Sequence, residues 1–152
     1  MRTRHTLERG FTLVEAMIVC AIAAILASVA VPGLTDQLRK ARRAEAFAML
    51  AAAQLAQERW RSQSPRYAGD LASLGDGLAL PSGGARYRLE LDDADASGYT
   101  LTASARPGTT QAGDGECARL RVRVRGGFVF HGAAAAHGTA FDESASNRCW
   151  GR

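Results

Sequence analysis

Lysine is almost missing from this 152-residue chain: 18 of its 19 basic residues are arginine. Cys-x-x-Cys is absent, and no histidine–cysteine cluster has zinc spacing, which argues against a structural zinc site. Gly-x-Ser-x-Gly, a phosphate-binding glycine loop ending in Lys-Ser/Thr, and His-Glu-x-x-His are absent too. The chain therefore offers no signature of a serine hydrolase, a nucleotide hydrolase or a zinc protease. It reads as a non-enzyme with no catalytic residue, no metal site and no cofactor. Excess charge is also small. A net charge of +4 does not by itself argue for nucleic acid. The arginine skew, with abundant alanine and glycine, is of the kind that genomic base composition produces. With 47% hydrophobic and 22% charged residues, the chain is not disordered overall. Its length fits one domain, or one domain with an appendage.

Charge is scarcest between residues 11 and 31, where Glu15 is the only ionisable carboxylate or base in 21 residues. A helix of that length covers roughly 30 Å, the hydrocarbon thickness of a bilayer. A lone carboxylate there costs several kcal/mol, and the run itself supplies no partner. Arg2, Arg4 and Arg9 precede the run; they hold the N-terminus in the cytoplasm and send the C-terminal part of the chain outward. The run is longer than the core of an ordinary secretory signal, so a processing site before it, at Gly10-Phe11, is one reading. On composition alone a plain signal anchor fits as well. Cys20 sits in this run, where a thiol behaves as a small hydrophobe. If the run exports the rest of the chain, Cys117 and Cys149 are the natural disulfide pair, with a loop-entropy stabilisation of about 3–4 kcal/mol.

Pro32-Gly33 is expected to end or kink the apolar helix. Beyond it, Leu34, Leu38, Ala41, Ala44, Ala48, Ala51 and Leu55 recur at helical steps, widened by Phe47, Leu50 and Trp60. This stripe is expected to carry the globular part. Asp36, Arg39, Lys40, Arg42, Arg43, Glu58 and Arg59 form the opposite, solvated side, with Glu45 placed to pair with Arg42. Residues 63–84, rich in glycine and proline, read as a loop with one helical turn near Asp70 to Leu74. Period-two alternation then marks three strands: Tyr87/Leu89/Leu91, Tyr99/Leu101/Ala103 and Leu120/Val122/Val124. Phe128, Val129 and Phe130 are a candidate fourth. The expected fold class is α+β, a long N-terminal α-helix packed on an antiparallel β-sheet head.

The string Gly10-Phe11-Thr12-Leu13-Val14-Glu15, running into an apolar helix, resembles the class III leader of type IV pilins. The resemblance covers residues 1 to about 60. It implies that residues 1–10 are a leader removed after Gly10 by prepilin peptidase, and that the new N-terminal Phe11 is N-methylated. Residues 11–32 become the transmembrane and filament-core helix, 33–62 the amphipathic helix of the head, and 63–152 the αβ loop, sheet and disulfide-bounded C-terminal region. Glu15 then pairs with the Phe11 amine of a neighbouring subunit, and a buried charge is tolerable when so paired. The late Cys149-Trp150 is similar to minor pilins of the PilE type. Implied partners are other pilin subunits, the peptidase, an inner-membrane assembly platform and membrane lipid. The implied location is the inner membrane with a periplasmic head, then an extracellular pilus serving adhesion, twitching motility or DNA uptake. A type II secretion pseudopilin and a signal-anchored periplasmic binding module are the alternatives.

Three features lie outside that resemblance. His131 and His137 read as exposed loop residues. Asp92, Asp93 and Asp95 read as a charged turn rather than a calcium loop, since the glycine spacing and mixed ligands of such a loop are missing. Arg119, Arg121, Arg123 and Arg125 project from one face of the third strand about 7 Å apart, a ridge that phosphates could track. The ordinary reading of this ridge is a solvated sheet face balanced by acids such as Glu90. DNA contact is the second reading, weakened by the absence of interleaved aromatics along that strand.

Overall fold

The computed structural model describes residues 12–78 and 86–150, except for the side chains at 29–33, 76 and 77. Gly10 and Phe11 therefore lie outside the described residues. The chain divides into two compact units, Met1–Leu38 and Arg39–Arg152. One helix, α1 (Leu13–Arg61), contributes to both. Thr12 caps its start, its hydroxyl accepting the Glu15 backbone N–H at 3.2 Å. The helix continues through positions 32 and 33, where a break was expected. Proline removes one backbone bond at a cost of about 3 kcal/mol, and helical turns on both sides carry the chain past it.

In the first unit, all described side chains from position 12 to 28 are exposed, including Leu13, Val14, Met17, Ile18, Val19, Ile22, Ile25 and Leu26. Among the described residues no helix is long and apolar enough to cross a membrane.

The second unit is a helix on a sheet. Four strands, β1 (Tyr87–Asp92), β2 (Gly98–Ala105), β3 (Arg119–Arg125) and β4 (Phe128–Ala134), pair antiparallel in the order β1-β2-β3-β4. The alternation seen in the sequence sets the faces: Tyr87, Leu89, Tyr99, Leu101, Ala103, Leu120, Val122 and Val124 are buried in one core. A two-residue turn, Gly126-Gly127, joins β3 to β4, and both residues have positive φ (57° and 83°). That conformation suits a hairpin turn whose twist matches the strands, and only glycine adopts it without strain at both positions.

The helix meets the sheet through Ala46, Met49, Leu50 and Ala53. Of the stripe expected to do so, Leu50 is buried and Phe47 packs against the core, but Leu34, Leu38, Ala41, Ala44, Ala48, Ala51, Leu55 and Trp60 are exposed. Residues 48 and 50 lie about 200° apart around a helix, so those alanines and leucines lie on the face opposite the buried one. Alanine is abundant on both, and periodicity alone did not separate them. Gln57 belongs to the buried side, its amide clasping the Ala68 backbone through an N–H···O bond in each direction (2.9 and 3.0 Å). The helical turn expected near Asp70 is a 3-10 segment, Ala72–Gly77, with the Asp70 carboxylate accepting the Ser73 N–H at 2.7 Å.

The basic cluster at 39–43 is not simply solvated. Arg43 donates two hydrogen bonds to Asp114 (2.6 and 2.8 Å), and the two side chains are only 12% and 4% exposed. Gln111 joins this knot, its Nε2 donating to the Tyr87 hydroxyl at 2.9 Å and lying 3.3 Å from Asp114. Burial pushes the Tyr87 phenol above its ordinary value. Arg42 donates to the Thr110 hydroxyl at 2.6 Å. Glu45 pairs with Arg86 rather than Arg42, accepting from both its backbone and its guanidinium at 3.0 Å.

Candidate functional site

The outer face of the sheet, turned away from the buried core, carries the arginine row. Antiparallel register sets Arg123 opposite Phe130 and Arg125 opposite Phe128, on the same face. The interleaved aromatics missing from β3 thus come from β4. The Arg123 guanidinium lies 4.7 Å from the centre of the Phe130 ring. Sequence reasoning missed this pairing, although Gly126-Gly127 is a readable two-residue turn from which 125↔128 and 123↔130 can be counted off.

The inner half of the row is covered by residues 141–143. Arg121 stacks on Phe141 with its guanidinium carbon 3.8 Å from the ring centre, and Arg119 approaches the same ring at 4.8 Å. Glu143 bridges Arg121 (2.7 Å) and Arg123, the latter gripping both carboxylate oxygens. The hydrogen bond from Arg123, supported by that from Arg121, holds the Glu143 carboxyl below its ordinary value. Gly132 makes room for this segment: a Cβ there would stand 3.1 Å from Glu143 and 3.3 Å from Phe141. No local pattern ties Phe141 and Glu143 to β3, since they come from an irregular segment beyond the sheet.

Other acids differ from expectation. Glu90 pairs with Arg88 on β1, not with the arginine row. Asp95 closes the β1–β2 turn, accepting from Ser97 and Gly98 backbone N–H groups at 2.6 and 2.9 Å, and its other oxygen takes Arg125 at 2.7 Å. Those Ser97 bonds first, then Arg125, hold its carboxyl well below the usual range. His131 is not in a loop but in β4, its ring 4.5 Å from that of Trp150. Trp150 donates its indole N–H to the Gly132 carbonyl at 2.8 Å and packs 5.0 Å from Phe47 of α1. Beside it Cys149 is joined to Cys117 in a disulfide. The bond tethers the C-terminal segment close to the start of β3, which keeps Phe141 and Glu143 near the arginine face.

In the first unit Glu15 stands in the first turn of α1, exposed, where a carboxylate also complements the helix dipole. Its expected partner, the Phe11 amine, lies outside the described residues, as does the cleavage junction.

A long N-terminal helix, an antiparallel four-stranded sheet laid on its later half and a disulfide near the C-terminus are the parts of a type IV pilin. A sequence profile described as type IV minor pilin ComP, DNA uptake sequence receptor, matches residues 32–121, and one for the prokaryotic N-terminal methylation motif matches residues 6–31. The type IV wide pilus major component PilA4 of Thermus thermophilus is 35% identical over 101 residues, covering 66% of this chain and 76% of that protein. The type IV major pilin PilA of Myxococcus xanthus is 35% identical over 98 residues, 64% of this chain and 39% of that protein. The type IV major pilin PilE1 of Neisseria gonorrhoeae is 51% identical over 43 residues, 28% of this chain and 26% of its own length. The chain thus spans well under half of these last two relatives. It belongs to the type IV pilins, within the family described as type IV minor pilin ComP.

Proposed function

We propose that this pilin is a minor subunit of a type IV pilus that contacts DNA during uptake through the outer face of its sheet. The observation that carries the reading is the arginine row of β3. Arg119, Arg121, Arg123 and Arg125 lie on one face, within a family whose description names a DNA uptake receptor. Only Glu143 and Asp95 among the described carboxylates pair with the row, which leaves it basic. Counterion release from bound phosphates then supplies affinity that falls with salt. The expected result is that the full chain in detergent micelles binds duplex DNA with a log–log salt slope of about −0.9 per phosphate contact. Replacing Arg123 and Arg125 with glutamine reduces that slope by about two. A parent that binds neither duplex nor single-stranded DNA at low salt would sink the reading.

Assembly would take the pilin route: prepilin peptidase cleaves after Gly10, Phe11 is N-methylated, and residues 11–32 reside in the inner membrane before entering the filament core. An inner-membrane platform would lift the subunit into the filament, with the head exported. The uncovered apolar side chains along positions 13–28 support this, because such a surface needs lipid or neighbouring helices to cover it. Mass spectrometry of the purified protein should find N-methyl-Phe11 at the N-terminus; an intact Met1 would favour the signal-anchored module instead.

A further inference from the structure

Resting on the DNA reading above, we propose that the hairpin end of the outer sheet face is a stacking site for unpaired bases, so that the ligand class is single-stranded nucleic acid. Phe128 of β4 and Arg125 of β3 form its open part, beside Phe130, one face of which packs against the Arg123 guanidinium that Glu143 holds. Two phenylalanines on a solvent-facing sheet surface are unusual residues to leave open, and Phe128 is 72% and Phe130 39% exposed.

The chain's own C-terminal segment packs on part of this face. Over the inner half of the row, Phe141 lies against Arg121 and the Glu143 carboxylate bridges Arg121 and Arg123. A ring stacked on a guanidinium, beside an anion held by further N–H donors, is the pair of groups that a base and its phosphate present. The same alternation continues past Glu143 with Arg125 and the β4 rings, of which Phe128 is the more exposed. Arg125 is held there by an exposed pair with Asp95, the two side chains being 36% and 53% exposed, and by longer hydrogen bonds to the Ser97 hydroxyl and the Asp93 carbonyl, both 3.4 Å. Such surface pairs contribute little, and a phosphate can take over the guanidinium at small cost.

Stacking chooses the strand state. A duplex buries the π-faces of its bases against one another, whereas a single strand can lay successive bases on exposed rings while arginines track its backbone. Phosphate contact alone would not distinguish the two forms.

The test measures fluorescence anisotropy of a labelled thymidine homopolymer and of a duplex of equal length, each titrated with the full chain in detergent micelles at one salt concentration. The homopolymer is expected to bind about tenfold tighter than the duplex. The double variant F128A/F130A is expected to weaken homopolymer binding about tenfold or more, with duplex binding and its salt slope unchanged. A second variant, F128Y/F130W, keeps both stacking surfaces and retains the homopolymer affinity, which separates stacking from any loss of strand stability. If the homopolymer binds no tighter than the duplex, or binds F128A/F130A as well as the parent, the stacking site is refuted. Salt-dependent duplex binding in that case would leave the broader DNA reading standing. Absence of binding by both nucleic acids would overturn the two together.

Discussion

Replacing Glu15 with alanine is expected to remove the protein from sheared filaments while leaving its membrane level and its folded head unchanged. In the proposed assembly the Glu15 carboxylate lies at the depth of the Phe11 amine of a neighbour, in surroundings without water. An ion pair in such surroundings is costly to form, but breaking it by deleting one partner costs about 3–5 kcal/mol, because the other charge stays buried and alone. For association this is roughly two to four orders of magnitude in affinity at each contact. Glu15→Gln should behave like the alanine variant, since it keeps the shape and loses the charge. The readout is immunoblotting of the sheared-fibre and membrane fractions from cells carrying each variant. Normal amounts of E15A protein in the fibres would remove Glu15 as the residue that sets subunit register.

The second large effect concerns the head alone. Arg43→Ala is expected to destabilise the head by about 3–5 kcal/mol, because it leaves the Asp114 carboxylate, 4% exposed, without its bidentate partner. At about 4 °C per kcal/mol for a domain near this size, the midpoint falls by about 12–20 °C. Asp114→Ala should cost less, since the longer Arg43 side chain can turn its charged end toward solvent. The double variant Arg43→Met with Asp114→Leu is expected to recover part of the loss, as apolar replacement of both members of a buried pair often does. Near-UV circular dichroism followed through the thermal transition measures all three. A midpoint for R43A within about 2 °C of the parent would mean that solvent reaches the pair, whose worth would then be that of a surface bridge.

These two sites differ in how far the amino-acid sequence reveals them. Glu15 stands out at once, because a single carboxylate in a long apolar run has an energetic meaning that needs no tertiary information. Arg43 does not. It reads as one more member of a basic helix face, and only the loop at 110–114, about seventy residues later, converts it into a buried pair. The helix face that meets the sheet was hidden for a related reason. With alanine on both sides, the regular recurrence of Leu34, Leu38 and Leu55 dominates the pattern, and Met49 does little to mark the side that Leu50 and Phe47 share. The glycines and alanines after His131 resemble a loop, yet β4 continues to Ala134. Small residues there let Phe141, Glu143 and Trp150 approach the strand.

By itself the sequence determined the leader-like junction, the apolar run with its lone carboxylate, and the faces of three strands with a candidate fourth. These are local, since strand alternation acts over neighbouring residues. Only the tertiary structure decided which side of α1 the sheet covers, which arginines are neutralised, and that Phe141 and Glu143 occupy half of the arginine row. Those outcomes depend on contacts between segments far apart in the chain, where burial and charge pairing choose among surfaces that are equivalent in local pattern.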